Sequence, residues 1–293
     1  MKRFINRVKN RLFFECAEIW MFLLRTLCKL NKHKAIHFVN NFNSSNVGDY
    51  NSSPALYIQD RLPKNIAIFR HDMYRLKLFN IFRNDIVILG GGGLIDCMDG
   101  WNRKINSILD KSKNVIYWGG GFNRHMGRKI TQQIDISRFL LFGARDKING
   151  LTWVPCPSCL SSRLKLKYPI KRRVGVVFHT EFMDPKLKKY DWIDNHACMP
   201  DIIEFIGSSE VILTSSYHAM YWATLMNKRV VIFNVFSDKF FNFPYPPSVF
   251  DNDLESAMDK AVSYPNALTE CIEANKKFFN TVSNTLHIPA KFE

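Results

Sequence analysis

The spacing of hydrophobic and polar positions changes character along this chain. In residues 1–33, Leu12, Cys16, Ile19, Leu23, Leu27 and Leu30 recur at intervals of three and four, while Glu15, Glu18, Arg25 and Lys29 fall on another face, which predicts an amphipathic helix. From Lys34 onward the pattern becomes short apolar runs separated by turn and helix signals. Strands are predicted over 35–39, 66–69, 86–89, 115–118 and 139–142, with a helix over 53–59. After a lapse into a basic stretch, a fresh strand is predicted over 174–178 and a helix over 201–206. A strand–helix–strand unit then spans 211–213, 219–226 and 230–233, and two closing helices cover 253–262 and 267–282. Strands that alternate with helices in this way pair in parallel, so the pattern predicts an α/β fold of two Rossmann-like domains with parallel sheets.

Four segments follow: a basic amphipathic helix at 1–33, a first Rossmann-like domain at 34–162, a basic linker at 163–173, and a second Rossmann-like domain with closing helices at 174–293. The linker carries Arg163, Lys165, Lys167, Lys171, Arg172 and Arg173. No internal repeat or low-complexity segment interrupts them.

Composition narrows the function. The 293 residues are 46% hydrophobic and 14% aromatic, enough for a buried core. A formal charge of +15 points to an anionic partner: nucleic acid, an acidic lipid surface or a phosphorylated substrate. Nucleic acid is set aside, because no RNA-recognition motif, zinc finger or helix-turn-helix spacing accompanies the charge. Seven cysteines without framework spacing fit a reducing compartment, and Cys156 and Cys159 read as buried structural cysteines rather than a redox or zinc pair. The first helix begins with Lys2, Arg3, Arg7, Lys9 and Arg11, but Glu15 and Glu18 break the following apolar stretch, so it reads neither as an export signal nor as a membrane span. It either docks on the protein body or lies on an anionic membrane.

Chemistry concentrates where predicted strands end. In parallel α/β sheets ligands bind there, because helix N-terminal N–H groups favour anions. Gly90, Gly91, Gly92 and Gly93 follow one strand and Gly119, Gly120 and Gly121 the next, stripping two strand ends of side chains. Neither cluster matches a dinucleotide fingerprint or a Walker A loop. Asn46, Val47, Gly48 and Asp49 follow the first strand, Arg145 and Asp146 another, and Thr214, Ser215, Ser216, Tyr217 and His218 lie at a strand end in the second half. A helix cap, a tight turn and an ion pair with Asp146 are the plain readings of Ser215 or Ser216, of the glycines and of Arg145. His179 ends the strand over 174–178 and is expected at the cleft edge. The remaining histidines, His125 among them, have no context that marks them.

Taken together, the 46–49 loop with Ser52, Ser53 and Pro54, the Gly90–Leu94 turn, Arg145-Asp146, Pro155-Cys156-Pro157-Ser158-Cys159, and Ser215 to His218 with Lys239 downstream resemble the polysaccharide pyruvyl transferases in order and spacing. The resemblance covers about residues 35–243. It implies two Rossmann-like domains arranged as in B-type glycosyltransferases, and transfer of a pyruvyl group from phosphoenolpyruvate, as co-substrate and with no cofactor or metal, to a sugar as a cyclic ketal. On this reading Arg145 and His218 hold the donor's phosphate and carboxylate. His218 and Asp49 share the acid–base work, and Ser215, Ser216, Lys239, Asn46, Gly91, Gly92, Gly93 and His179 bind substrate. Many members have an arginine two residues before the motif histidine where this chain has Ser216, so Lys239 or a residue of the basic stretch would have to supply that cation. The acceptor is expected to be a glycan or a lipid-linked oligosaccharide, and the location cytoplasmic with peripheral contact to an anionic membrane. A nucleotide-sugar glycosyltransferase, with Glu210 or Asp238 holding a ribose, and a non-catalytic glycan assembly protein are the alternatives.

Overall fold

The structure, a computed structural model, describes residues 2–30, 34–42, 45–250 and 253–292, with side chains from residue 16 onward. After helix α1 (Lys2–Leu30) the chain builds a first sheet from β1 (Ala35–Asn40), β2 (Ala67–Asp72), β3 (Ile86–Gly90), β4 (Asn114–Gly120), β5 (Leu141–Ala144) and β6 (Thr152–Trp153). A second sheet comprises β7 (Arg172–Phe178), β8 (Asp191–Asp194), β9 (Ser209–Thr214), β10 (Arg229–Ile232) and β11 (Ser248–Val249). The spatial orders are β2-β1-β3-β4-β5-β6 and β11-β10-β9-β7-β8, and every pairing is parallel. Renumbered within each half, both sheets follow the doubly wound order 2-1-3-4-5, extended in the first by a sixth edge strand, with the direction reversing between the first and third strands. Those reversals, β1/β3 and β7/β9, are the two places where the topology opens a crevice.

The central strand β3 is apolar and buried along its length because both faces of the sheet are covered there. In β3, Val87 and Leu89 join one core, with Tyr117 and with Ile105 and Ile108 of α4 (Asp99–Lys111). Ile86 and Ile88 face the opposite way and pack with Ile36, Phe38 and Trp118. That second face is closed by Phe278, Phe279 and Val282 of the last helix, which follows α5 (Met199–Gly207), α6 (Tyr217–Leu225) and α7 (Leu254–Lys260) in the chain and is itself α8 when α2 (Val47–Asn51) and α3 (Ala55–Ile58) are counted. The C-terminal helix therefore returns to the first sheet, and Asn275 fixes it by accepting from Trp118 Nε1 at 2.9 Å and donating to the Pro155 carbonyl at 3.0 Å.

Several elements differ from the expected ones. The helix expected over 53–59 is the shorter α3, which passes into a 3-10 turn over Gln59–Arg61, with Pro54 preceding Ala55, since proline starts a helix more readily than it continues one; α2 lies before the expected range. The strand expected over 139–142 lies at 141–144. Helix α4 and the edge strand β8 had not been expected. In the basic stretch, Ser162–Lys165 forms a 3-10 turn whose Leu164 enters the second domain's core with Cys156 and Cys159, while Arg172 and Arg173 already belong to β7. Among the described residues no helix is long and apolar enough to cross a membrane.

Candidate active site

The carboxyl ends of the two switch points face each other across one cleft. Its lining includes Asn46, Asp49, Gly92, Gly93 and Arg145 from the first domain and His179, Ser216, Tyr217, His218 and Lys239 from the second. Its cavity is about 120 Å³, and at roughly 10–15 Å³ per water-sized body this is space for on the order of ten such bodies.

Each wall has a local cause. Asn46 caps α2 by accepting from Gly48 N at 3.0 Å, which turns Asp49 toward the cleft. Asn41 Nδ2 donates to Asp49 Oδ2 at 3.0 Å and holds its carboxylate. Gly48 is required by contact: a Cβ there would lie 2.1 Å from His218 Nδ1. The loop of the first domain and the histidine of the second are thus fitted to each other. Replacing Gly48 with Ala is expected to push the domains apart, lower stability by about 1–3 kcal/mol as overpacking does, and cut ligand binding. Thermal unfolding indistinguishable from the parent would show that the fit is not this tight.

Arg145 is the most informative side chain. It is 1% exposed, and its guanidinium stacks 3.9 Å from the centroid of the Tyr217 ring. Gly121 makes the space, because a Cβ there would lie 2.2 Å from Arg145 Nε. Asp146 is its ion-pair neighbour, but Nε and Asp146 Oδ1 are 3.9 Å apart, too far for a hydrogen bond. Among the described residues Nε and Nη2 have no hydrogen-bond partner. Buried guanidinium donors without acceptors are costly, and a bidentate anion at this strand end would satisfy them.

Lys239 adds a second cation. Burial, then the nearby Arg145 charge, lower its pKa to about 8, and its ammonium lies 4.5 Å from the Phe236 ring centroid. His218 lies at the start of α6, with Nε2 3.7 Å from Cys156 Sγ. Burial, followed by the charges of Arg145 and Lys239, drives its pKa well below the usual histidine value, so at neutral pH it is an uncharged imidazole. His179 behaves likewise, lowered to about 4 by burial and then by Lys239.

Two expected contacts lie outside the lining. Ser215 is fully buried and its Oγ accepts from His179 N at 2.9 Å, tying the ends of β9 and β7 together. Gly91 has a φ of +75° and a Cβ there would lie 1.8 Å from the Ser52 carbonyl oxygen, so it serves the packing of chain on chain. Residues 163–173 do not line the cleft, which leaves Lys239, and not the basic stretch, beside Ser216. Glu210 is exposed near the amino end of β9, far from a ribose at the carboxyl end, and Asp238 is not in the lining. Cys156 and Cys159 are fully buried, and burial raises both thiol pKa values.

Sequence reasoning missed Asn123, His125, Glu181 and Phe236, which also line the cleft. His125, set aside as background, is placed by pairing between the domains: Met126 N donates to the Phe236 carbonyl at 3.1 Å, and Ser237 Oγ donates to Asn123 Oδ1 at 3.1 Å. Phe182 and Phe236 stack at 3.9 Å, with His179 and His125 rings against Phe236 at 5.7 and 5.4 Å, forming an aromatic shelf beside the cations.

By class this is a two-domain α/β protein with one cation-lined cleft between paired switch points. A family model described as polysaccharide pyruvyl transferase matches residues 23–237, well over half of the chain, and the chain belongs to that family. Among solved structures it is similar to a functionally uncharacterized protein from Klebsiella pneumoniae, with 16% identity, 73% of this chain and 88% of that chain covered, and a TM-score of 0.44. It is also similar to the wall teichoic acid polymerase TagF, with 10% identity, 97% and 98% coverage, and a TM-score of 0.41. No curated protein matches the chain significantly.

Proposed function

We propose that this protein transfers a pyruvyl group from phosphoenolpyruvate to two hydroxyls of a sugar, in a surface polysaccharide or its lipid-linked precursor, as a cyclic ketal. The observation that carries this reading is the buried Arg145 guanidinium with two unpartnered donors beside Lys239. Phosphoenolpyruvate brings close to three negative charges and a compact skeleton of ten non-hydrogen atoms, which suits both the charge and the size of the cavity. In a water-poor cleft such contacts act more strongly than in water.

Arg145 and Lys239 hold the phosphate and carboxylate, and Lys239 supplies the charge that Ser216 does not. A proton added at C3 makes C2 electrophilic. One sugar hydroxyl bonds to C2, the C2–O bond to phosphate breaks, and a second hydroxyl closes the ketal with loss of its proton. Asp49, oriented by Asn41, takes a hydroxyl proton. His218 is uncharged in the free protein, and the donor's negative charge raises its proton affinity when it binds, which fits it for proton transfer at the reacting carbons. The sugar ring packs on the aromatic shelf at Phe236, with Glu181 beside its hydroxyls. Because phosphoenolpyruvate is an intracellular metabolite, the reaction is cytoplasmic.

The test is release of phosphate from phosphoenolpyruvate that depends on a glycan acceptor, with the ketal identified by mass spectrometry; phosphate release without a pyruvylated product would reject the transfer. A pH dependence follows from Lys239. Its ammonium is charged below a pKa of about 8 and lost above it, so affinity for phosphoenolpyruvate should fall about tenfold between pH 7 and 9. Lys239→Ala should flatten that profile, and an unchanged slope in the variant would place the titrating group elsewhere.

A further inference from the structure

Helix α1 is docked inside out. Its polar residues face the protein: Arg25 is buried and donates through Nε to Asp85 Oδ2 at 2.9 Å, and the buried Glu18 accepts from Asn80 Nδ2 at 2.5 Å. Its apolar residues face outward. Ile19, Trp20, Leu23, Leu24, Leu27 and Leu30 lie at spacings of one, three and four along one stripe, and Trp20, Leu27 and Leu30 are 64, 54 and 72% exposed. Phe79, itself exposed, extends the patch, with its ring 5.5 Å from that of Phe22. In an ordinary surface helix the apolar stripe turns to the core, and a contiguous exposed stripe of this kind marks a contact surface.

We infer that α1 seats the protein on an anionic lipid surface through this stripe. Charge selects the occupant. The same continuous helix carries Lys2, Arg3, Arg7, Lys9 and Arg11 near its start, with no acidic residue before Glu15, in a chain of net charge +15. A basic helix with a Trp- and Leu-rich face suits the boundary between headgroups and acyl chains. A second copy of the chain would bring the same cations against one another. The inference is independent of the reaction proposed above, since it rests on residues outside the cleft.

Co-sedimentation of the full chain with vesicles of equal phosphatidylglycerol and phosphatidylcholine, against vesicles of phosphatidylcholine alone, tests it. Binding should be at least tenfold stronger to the anionic vesicles and weaken with salt. It should drop at least tenfold in Leu24→Gln/Leu27→Gln, whose side chains are exposed so that circular dichroism and melting should not change. Binding that ignores lipid charge, or that survives the double substitution, would overturn the inference. So would a lipid-free dimer that this substitution dissociates, because the stripe would then belong to an interface between copies.

Discussion

Replacing Arg145 with Ala should weaken phosphoenolpyruvate binding by about 2–5 kcal/mol, the range for truncating one partner of a desolvated charge pair, or roughly 30-fold to several-thousand-fold. The expectation follows from burial and geometry. The guanidinium is held between Tyr217 and the space left at Gly121, and its orientation is fixed before any ligand arrives. A ligand therefore meets donors that need little ordering, and loses them entirely in the variant. Arg145→Lys keeps the charge but not the planar fork, so it should recover only a minor part of the affinity. The substitution to Ala also takes the countercharge from the buried Asp146, so some loss of stability is expected, and binding is compared at a temperature where circular dichroism shows both variants folded. Isothermal calorimetry on both variants is the check, and unchanged affinity in Arg145→Ala would remove this residue from the donor site.

The second large effect is expected far from the cleft. Asp85 joins α1 to the first sheet: it accepts from Arg25, from His37 Nε2 at 3.1 Å and from Phe82 N at 2.9 Å, and His37 in turn contacts His71 at 2.8 Å. Burial alone would raise the Asp85 pKa, yet the hydrogen bonds from His37 and Arg25 outweigh it and hold it at about 2. Asp85→Ala strands a buried guanidinium, which should cost about 3–5 kcal/mol and loosen α1. Asp85→Asn keeps the volume and part of the hydrogen bonding and should cost less. Urea denaturation showing a loss under about 1 kcal/mol in Asp85→Ala would mean that the pair is not what fixes the helix. The same cluster sets a direction with pH. Burial lowers the His71 pKa from 6.5 to about 3, so between those limits the unfolded chain binds a proton that the fold does not. Its contribution is complete above pH 6.5 and is lost as pH falls toward 3.

How much of this was legible in the sequence depended on the range of the interaction. The strand ends at Gly90 to Gly93 and at Ser215 to His218 were readable because a short apolar run followed by small or polar residues is a local pattern, and the switch-point rule turned that pattern into a place. Trp101, Ile105, Ile108 and Leu109 of α4 carry helical spacing too, but Gly100 and the lack of a capping side chain at Met98 blurred the start. Strand β8, Asp-Trp-Ile-Asp, is too polar to resemble the other strands and forms through pairing with β7. His125 and Asn123 owe their place to contacts with Phe236 and Ser237, more than a hundred residues away, which no window of sequence contains. Helix α1 is the clearest case. Its two faces were evident, but the docked face is chosen by Asp85 and Asn80, and the charged side won. The apolar faces of α8 were equally visible, without any sign that they cover the first sheet.

In the proposed reaction one cleft, formed by both switch points, holds the donor through Arg145 and Lys239. A crystal structure of the protein grown with phosphoenolpyruvate tests it most directly. The phosphate and carboxylate are expected within hydrogen-bonding distance of the Arg145 guanidinium and the Lys239 ammonium, with C2 and C3 toward His218 and Asp49. Phosphoenolpyruvate bound instead on the basic stretch at 163–173, or an Arg145 left without an anion at saturating phosphoenolpyruvate, would contradict it.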